Sequence, residues 1–241
     1  VVPERIAAIV RGIAAACEQA GCALVGGETA EHPGLMGVDD YDVAGAAVGA
    51  VEADDLLGPH RVLAGDVVVA IGSSGLHSNG YSLVRRVFAN AGWDFAREVP
   101  ELGRTLGEEL LEPTRVYAAD VLDLAAALGP DLHAVSHVTG GGLAANLARV
   151  LPPGLLAVLD RSTWRPAPVL DLVRELGRVP VADLERTLNL GVGMVAVVAP
   201  SLADDAVSRL QERNLPAWVL GSVGILTGQE GGGQEGGGEE S

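Results

Sequence analysis

The segment GSSGLHSNGYS (72–82) concentrates side chains and glycines that can do chemistry. It follows the apolar run VVVAI (67–71) and leads into a helix-forming stretch. Gly72, Gly75 and Gly80 let the backbone turn tightly and approach a ligand. Ser73, Ser74, Ser78 and Asn79 offer donors and an N-cap, and the free N–H groups of a first helical turn point into the same space. Such a loop holds phosphate without a lysine. A Ser/Asn-capped turn with no ligand is the competing reading. His77 is a candidate ligand-facing donor or acid, against an ordinary surface histidine.

HVTGGG (137–142) repeats the pattern of strand, glycines and helix. Thr139 and the amides of Gly140, Gly141 and Gly142 are candidates for a second anion. The spacing is not that of a dinucleotide fingerprint. A close helix–strand contact needing Gly is the alternative, and His137 is a candidate polar group or a satisfied core histidine. In GGETAEHPG (26–34), Glu28, Glu31 and His32 sit beside two glycines, where carboxylates suit a Mg²⁺ that bridges phosphates. A solvated acidic turn fits equally well. Asp39, Asp40 and Asp42 read as a solvated loop. In NLGVGM (189–194), Gly191 and Gly193 read as structural and Asn189 as a residue that can face the site. Arg115, in EPTRVY (112–117), either pairs with a phosphate or forms a salt bridge. No Ser-His-Asp order and no paired catalytic carboxylates stand out. The pattern is of anion cradles rather than of a nucleophile.

Apolar spacing supplies the elements that must position these loops. A helix is predicted over 1–20, with Pro3 in its first turn and Gly21 at its C-terminal cap. Short strands are predicted at Cys22–Val25 and Tyr41–Val51, and a domain boundary in 52–65. Further strands are predicted at Val67–Ile71, His133–Val138, Leu155–Leu159, Gly193–Ala199 and Ala217–Val223. Helices are predicted after residue 80 (Leu83, Val84, Val87 and Phe88 on one face) and near Pro113 (carrying Val116, Leu124 and Leu128). Others fall at Leu143–Val150, Val169–Leu176 and Ala203–Arg213. This alternation predicts a layered α/β domain. Residues 1–57 read as the remnant of one domain, 58–228 as a second, and the Gly/Glu/Gln-rich 229–241 as a disordered tail.

The 241 residues are 48 % apolar, enough for a core, and carry a formal charge of -16. All 16 basic residues are Arg, so neither a Walker-type P-loop nor a Schiff-base mechanism is available within these residues. An acidic chain with 3 % aromatics lacks the basic surface and stacking platforms for nucleic acid. Cys17 and Cys22 read as two buried free thiols. No leader and no membrane span are read, so the expected location is the cytoplasm.

Six segments together carry a resemblance: GGETAEHPG (26–34), DYDVAG (40–45), GDVVVAIGSSGLHSNGYSLVR (65–85), LLEPTRVY (110–117), HVTGGG (137–142) and NLGVGM (189–194). In that order they resemble the signature segments of the phosphoribosylformylglycinamidine cyclo-ligase, or AIR synthetase, family. The resemblance runs over about residues 4–224. It implies the superfamily's C-terminal α/β domain, with a mixed sheet and helices, preceded by a remnant of the N-terminal domain that dimerises and lines the ATP site. The implied reaction closes formylglycinamidine ribonucleotide to aminoimidazole ribonucleotide, using ATP and Mg²⁺ and releasing ADP and phosphate. Glu28 and Thr29 fall on the implied ATP side, with Glu28 a candidate metal ligand. The family's leading Gly-rich, Asp- and Lys-bearing motif and Asn-Asp pair are absent, and His32 stands where Met is usual. The expectation is therefore a truncated form, inactive alone. A sister enzyme of the superfamily and a non-catalytic phosphate-sugar binding fragment are the rival readings.

Overall fold

The computed structural model describes residues 2–37 and 39–226. The tail expected to be disordered after Gly228 lies outside the described residues. Helix α1 (Pro3–Ala20) ends at Gly21, whose φ of 69° is the left-handed conformation that favours glycine. Its Ile6, Ile9 and Ile13 are half-buried. The thiols expected to be buried are not: Cys17 is half-exposed and Cys22 exposed.

The strands expected at Cys22–Val25 and Tyr41–Val51 do not form. Among the described residues of 22–52, the strand pairing is limited to an isolated bridge between Pro33 and Met36. An apolar run becomes a strand only when a neighbour satisfies its N–H and C=O groups. Among the described residues none lies beside it, so Val25 and Val48 stay 95 % and 102 % exposed.

The body then runs β1 (Val67–Gly72), α2 (Tyr81–Asn90), β2 (Glu98–Val99), β3 (Arg104–Thr105), α3 (Leu106–Leu110) and α4 (Ala118–Leu128). It continues with β4 (Leu132–His137), α5 (Gly142–Ala148), β5 (Leu155–Leu159), α6 (Pro168–Gly177) and α7 (Val181–Thr187). It ends with β6 (Val192–Val198), α8 (Ala203–Glu212) and β7 (Ala217–Ile225). The helix expected from Pro113 starts only at Ala118, because Pro113 and Thr114 are tied to the glycine-rich loop described below.

Five strands form one sheet in the order β4-β6-β1-β7-β5. The layered α/β class holds, but the expected mixed pairing does not: every neighbouring pair is antiparallel. The connection β6–α8–β7 joins two strands that run the same way, as a crossover helix should. Strand β1 lies between them in the opposite sense and converts one parallel pair into two antiparallel ones.

Both faces of the sheet are covered, which is why β1 and β6 read as continuous apolar runs. Val69, Ile71, Ala196 and Val198 face Leu124, Leu128, Ala206 and Leu210 of α4 and α8. Val68, Ala70, Val195 and Val197 face the other way, toward Leu147 of α5 and the Trp164–Trp218 stack. A satellite core gathers Val84, Val87 and Phe88 of α2 with residues of α3, α6 and α7. No helix of the described residues is long and apolar enough to cross a membrane.

At one end of the sheet, just before β1 and at the start of β4, lies a buried polar pair. One oxygen of Asp66 accepts from the Leu63 amide at 2.8 Å and meets His133 Nδ1 at 2.6 Å. Asp66 is 2 % and His133 7 % exposed. The pair spans the end of β6, where Val198 is partnered by both Val67 and Leu132.

Candidate functional site

The sheet directions bring the glycine-rich loops together at the opposite end. Strands β1 and β4 both leave the sheet where β6 enters it, with Gly72 opposite Val192 and His137 opposite Met194. Loops 73–80, 138–141 and 188–191 therefore share one end. The first two face each other: a Cβ on Gly140 would lie 3.6 Å from Asn79 Oδ1.

Most of the hydroxyls expected to serve as anion donors hold the loops instead. Ser74 Oγ donates to the Pro113 carbonyl at 2.7 Å, and Ser78 Oγ lies 3.0 Å from Thr114 Oγ1. Ser73 donates its amide to the Gly191 carbonyl at 2.9 Å. Asn189, 4 % exposed, braces the loops. Its Nδ2 donates to the Gly75 carbonyl at 2.8 Å and its Oδ1 accepts from the Gly191 amide at 2.8 Å. Thr139 Oγ1 donates to Asn146 Oδ1 at 3.2 Å. Asn146 is the residue that sequence reasoning missed: buried on α5, it donates from Nδ2 to the carbonyls of Thr139, Gly140 and Gly142. A lone amide inside the apolar GLAANLARV was the available signal. Gly142, at φ 72°, has no room for a side chain because a Cβ would overlap the Glu185 carbonyl. Helix α5 spans only Gly142–Ala148.

Three rings form the floor. The centroids of His77 and Tyr117 are 6.1 Å apart, His77 and His137 6.2 Å, and Tyr117 and His137 6.2 Å. The Tyr117 hydroxyl donates to the Gly72 carbonyl at 2.9 Å, and burial pushes it far above the ordinary phenol range. His77 is 3 % exposed and sits at φ 57°. Its Nε2 accepts from the Ser74 amide at 3.1 Å, while its Nδ1 is buried without a partner. Burial, then His137, then Arg115 hold the His77 pKa down to about 4. Desolvation also lowers His137. Both imidazoles are therefore neutral near pH 7. Arg115 is half-buried, and its Nε is closed off with no hydrogen-bond partner. Gly193, read as structural, permits the cluster: a Cβ there would overlap the Tyr117 hydroxyl and lie 2.8 Å from His77 Cε1.

Glu28 and Thr29 are not part of this cluster. They line a separate cavity of about 610 Å³ beside Arg5 and Ile6 of α1. Among the described residues, no group of three or more His, Cys, Asp or Glu side chains is placed to hold a metal. Glu28 alone does not make a Mg²⁺ site.

The neutrality of His77 predicts a pH dependence. Its pKa is about 4 folded against 6.5 ordinarily. Between those values the unfolded chain takes up a proton that the folded chain refuses, so stability falls as pH drops through this window and is level above it. The loss from His77 between pH 6 and 4 is about 2 kcal/mol. Urea unfolding of the wild type and His77→Asn over this range checks it. The wild-type curve should fall more steeply, and parallel curves would show that His77 is not held neutral by the fold.

The α/β domain thus gathers its polar loops at one end of the sheet, around neutral imidazoles, a buried phenol and a guanidinium that has no acidic partner among the described residues. The model for "AIR synthase related protein, C-terminal domain" matches residues 64–226, and the model for its N-terminal domain matches residues 2–51. The chain belongs to the AIR synthase related family. It is 50 % identical over 217 residues to a phosphoribosylformylglycinamidine cyclo-ligase of Sorangium cellulosum, covering 90 % of this chain and 62 % of that one. It is 49 % identical over 227 residues to one of Anaeromyxobacter sp., covering 94 % and 65 %. The chain thus spans less than two thirds of the length of these relatives. Among solved structures, a thiamine-monophosphate kinase from Stenotrophomonas maltophilia is similar over 71 % of this chain and 51 % of its own, at 23 % identity and a TM-score of 0.49.

Proposed function

We propose that this chain carries the substrate side of an ATP-dependent cyclo-ligase that converts formylglycinamidine ribonucleotide to aminoimidazole ribonucleotide in the cytoplasm. The observation that carries the reading is the meeting of the 73–80 and 138–141 loops over His77, Tyr117 and His137, in a chain about half identical to named cyclo-ligases. In the proposed reaction ATP phosphorylates the formyl amide oxygen and leaves as ADP. The amidine nitrogen then attacks that carbon, the C–O bond breaks with release of phosphate, and a proton leaves the nitrogen. Such chemistry is mostly positioning and charge stabilisation. We assign the loop 73–80 and the amides of 139–142 to holding the ribonucleotide. We assign His137, neutral and exposed at the end of β4, to accepting the proton. We place the ATP side on residues 1–57 and the substrate side on 58–228. The described residues do not by themselves complete a metal site. The exposed stretch 22–52, with Val25 and Val48 bare, is where partner contacts, including a homodimer, are proposed.

The test is formation of aminoimidazole ribonucleotide with one ADP and one phosphate per ring closed. It is run on the 241-residue chain alone and on the chain joined to the portion of a cyclo-ligase relative that it does not cover. Ring closure is expected only in the joined protein. Closure by the chain alone would overturn the incomplete ATP side. A folded joined protein that binds the ribonucleotide without ATP turnover would overturn the enzyme reading in favour of a phosphate-sugar binding fragment. ATP turnover without closure would point to a sister activity.

A further inference from the structure

We infer that His77 and Arg115 form a donor pair reserved for one oxyanion, a phosphoryl oxygen of a substrate, with His77 donating from Nδ1. The inference rests on the phosphoryl-handling reading above and adds two things: which atoms receive the oxygen, and in which tautomer.

Among the described residues, three buried side-chain nitrogen or oxygen atoms have no hydrogen-bond partner: His77 Nδ1, Arg115 Nε and Trp218 Nε1. Trp218 is on β7, stacked on Trp164, with ring centroids 6.3 Å apart. The other two lie on segments that pack together: Pro113 and Thr114 bind Ser74 and Ser78 on either side of His77, and Tyr117, two residues beyond Arg115, has its ring centroid 6.1 Å from that of His77. The Ser74 amide donates to His77 Nε2, so Nε2 carries the lone pair. In a neutral imidazole the proton is then on Nδ1. Arg115 Nε–H is a donor at every accessible pH. Both bare atoms are therefore donors. A cation or an ammonium group finds nothing here, whereas an oxygen with several lone pairs satisfies both.

Leaving such donors unmade is costly, at about 1–3 kcal/mol each, and native proteins rarely do so without a ligand or water to fill the place. No acidic side chain neutralises Arg115 among the described residues, although the chain has 32 Asp and Glu. His77 sits at φ 57°, in the left-handed region that few residues other than glycine adopt. Both nitrogens are closed off from solvent, so an oxyanion reaches them only with a local shift of the 73–80 loop, which is held by the Ser74 and Ser78 hydroxyls, the Ser73 amide and the Asn189 side chain.

A phosphoryl oxygen could come from the ribonucleotide's own ester or from the group leaving ATP. Nitrogen-15 NMR of the 241-residue chain separates these sources. Long-range imidazole spectra should show the Nδ1–H tautomer for His77. Titration with ribose 5-phosphate and, separately, with the β,γ-imido analogue of ATP should move the His77 Nδ1 and Arg115 Nε signals together; the probe that moves them names the source. Arg115→Gln should weaken that probe at least tenfold, and His77→Leu likewise. His77→Asn, which keeps a donor near Nδ1 and tolerates a positive φ, should stay within threefold. An Nε2–H tautomer, signals unmoved by both probes, or unchanged affinity in folded Arg115→Gln would overturn the pair. A responsive pair in a protein that never closes the ring would sink the cyclo-ligase reading and leave the pair standing. Silent nitrogens in a chain whose joined form does close it would sink the pair alone.

Discussion

Gly193→Ala should lower folding stability by about 3 kcal/mol and disorder the imidazole cluster. The glycine lies on β6, and a methyl there would overlap the Tyr117 hydroxyl and crowd His77 Cε1. Neither ring can yield cheaply. Tyr117 is buried and bound to the Gly72 carbonyl, and His77 is tied to the Ser74 amide. Overpacking of a tight interior costs roughly 1–3 kcal/mol. A Tyr117 hydroxyl driven off its buried carbonyl partner adds a further term of about 1 kcal/mol or more. Gly224→Ala is the control, since nothing lies within 4 Å of a Cβ there. Urea midpoints for the two variants, together with the His77 and Tyr117 ring signals by NMR, decide the matter. Equal midpoints for Gly193→Ala and Gly224→Ala would show that the cluster is not packed as described.

Asp66→Ala should also cost about 3 kcal/mol, yet leave the other end of the sheet intact. The substitution strips the acceptor from two donors, the part-buried Leu63 amide and the buried His133 Nδ1, which share a single oxygen of Asp66. Each bare donor is worth about 1–3 kcal/mol. Because one oxygen serves both, Asp66→Asn can place its carbonyl there and should retain most of the stability. Titration of the His77 and Arg115 signals with the responsive probe should be unchanged in either folded variant. Equal losses for Ala and Asn would mean that the negative charge matters rather than the acceptor geometry. A loss below about 1 kcal/mol for Ala would mean that water already serves these donors.

Local sequence revealed the elements whose environment is uniform. The VVVAI run of β1 is apolar on both faces because both faces are covered, and β5 has the bounds Leu155–Leu159 read from the sequence. Two short helices were missed. Helix α3 is announced by a capping box, Thr105 with Glu108, a signal present in the sequence. Helix α7 carries four polar or charged residues in seven, and one residue, Leu184, inserts into the satellite core. The opposite error at residues 22–25 and 41–51 has the same root: strand formation is decided by a neighbour, and alternating Ala and Val do not supply one. At the site, the glycine loops and both histidines could be found from type and spacing. What they do there could not. That Ser74, Ser78 and Thr139 brace the loops, and that Arg115 has no acidic partner, depends on segments far apart in sequence.

The placement of β1 between β6 and β7 also sets how the protein must fold. Val67 pairs with Val198 on one side and Ser222 on the other, across more than about a hundred residues in each case. The middle of the sheet is therefore the last part of it to be completed. Until β6 and β7 are available, β1 presents two bare apolar edges, the condition in which chains pair with their neighbours instead of with themselves. Such high contact order places refolding in the millisecond-to-second range rather than in microseconds. It also makes β1 the segment for which a nascent chain most needs a chaperone.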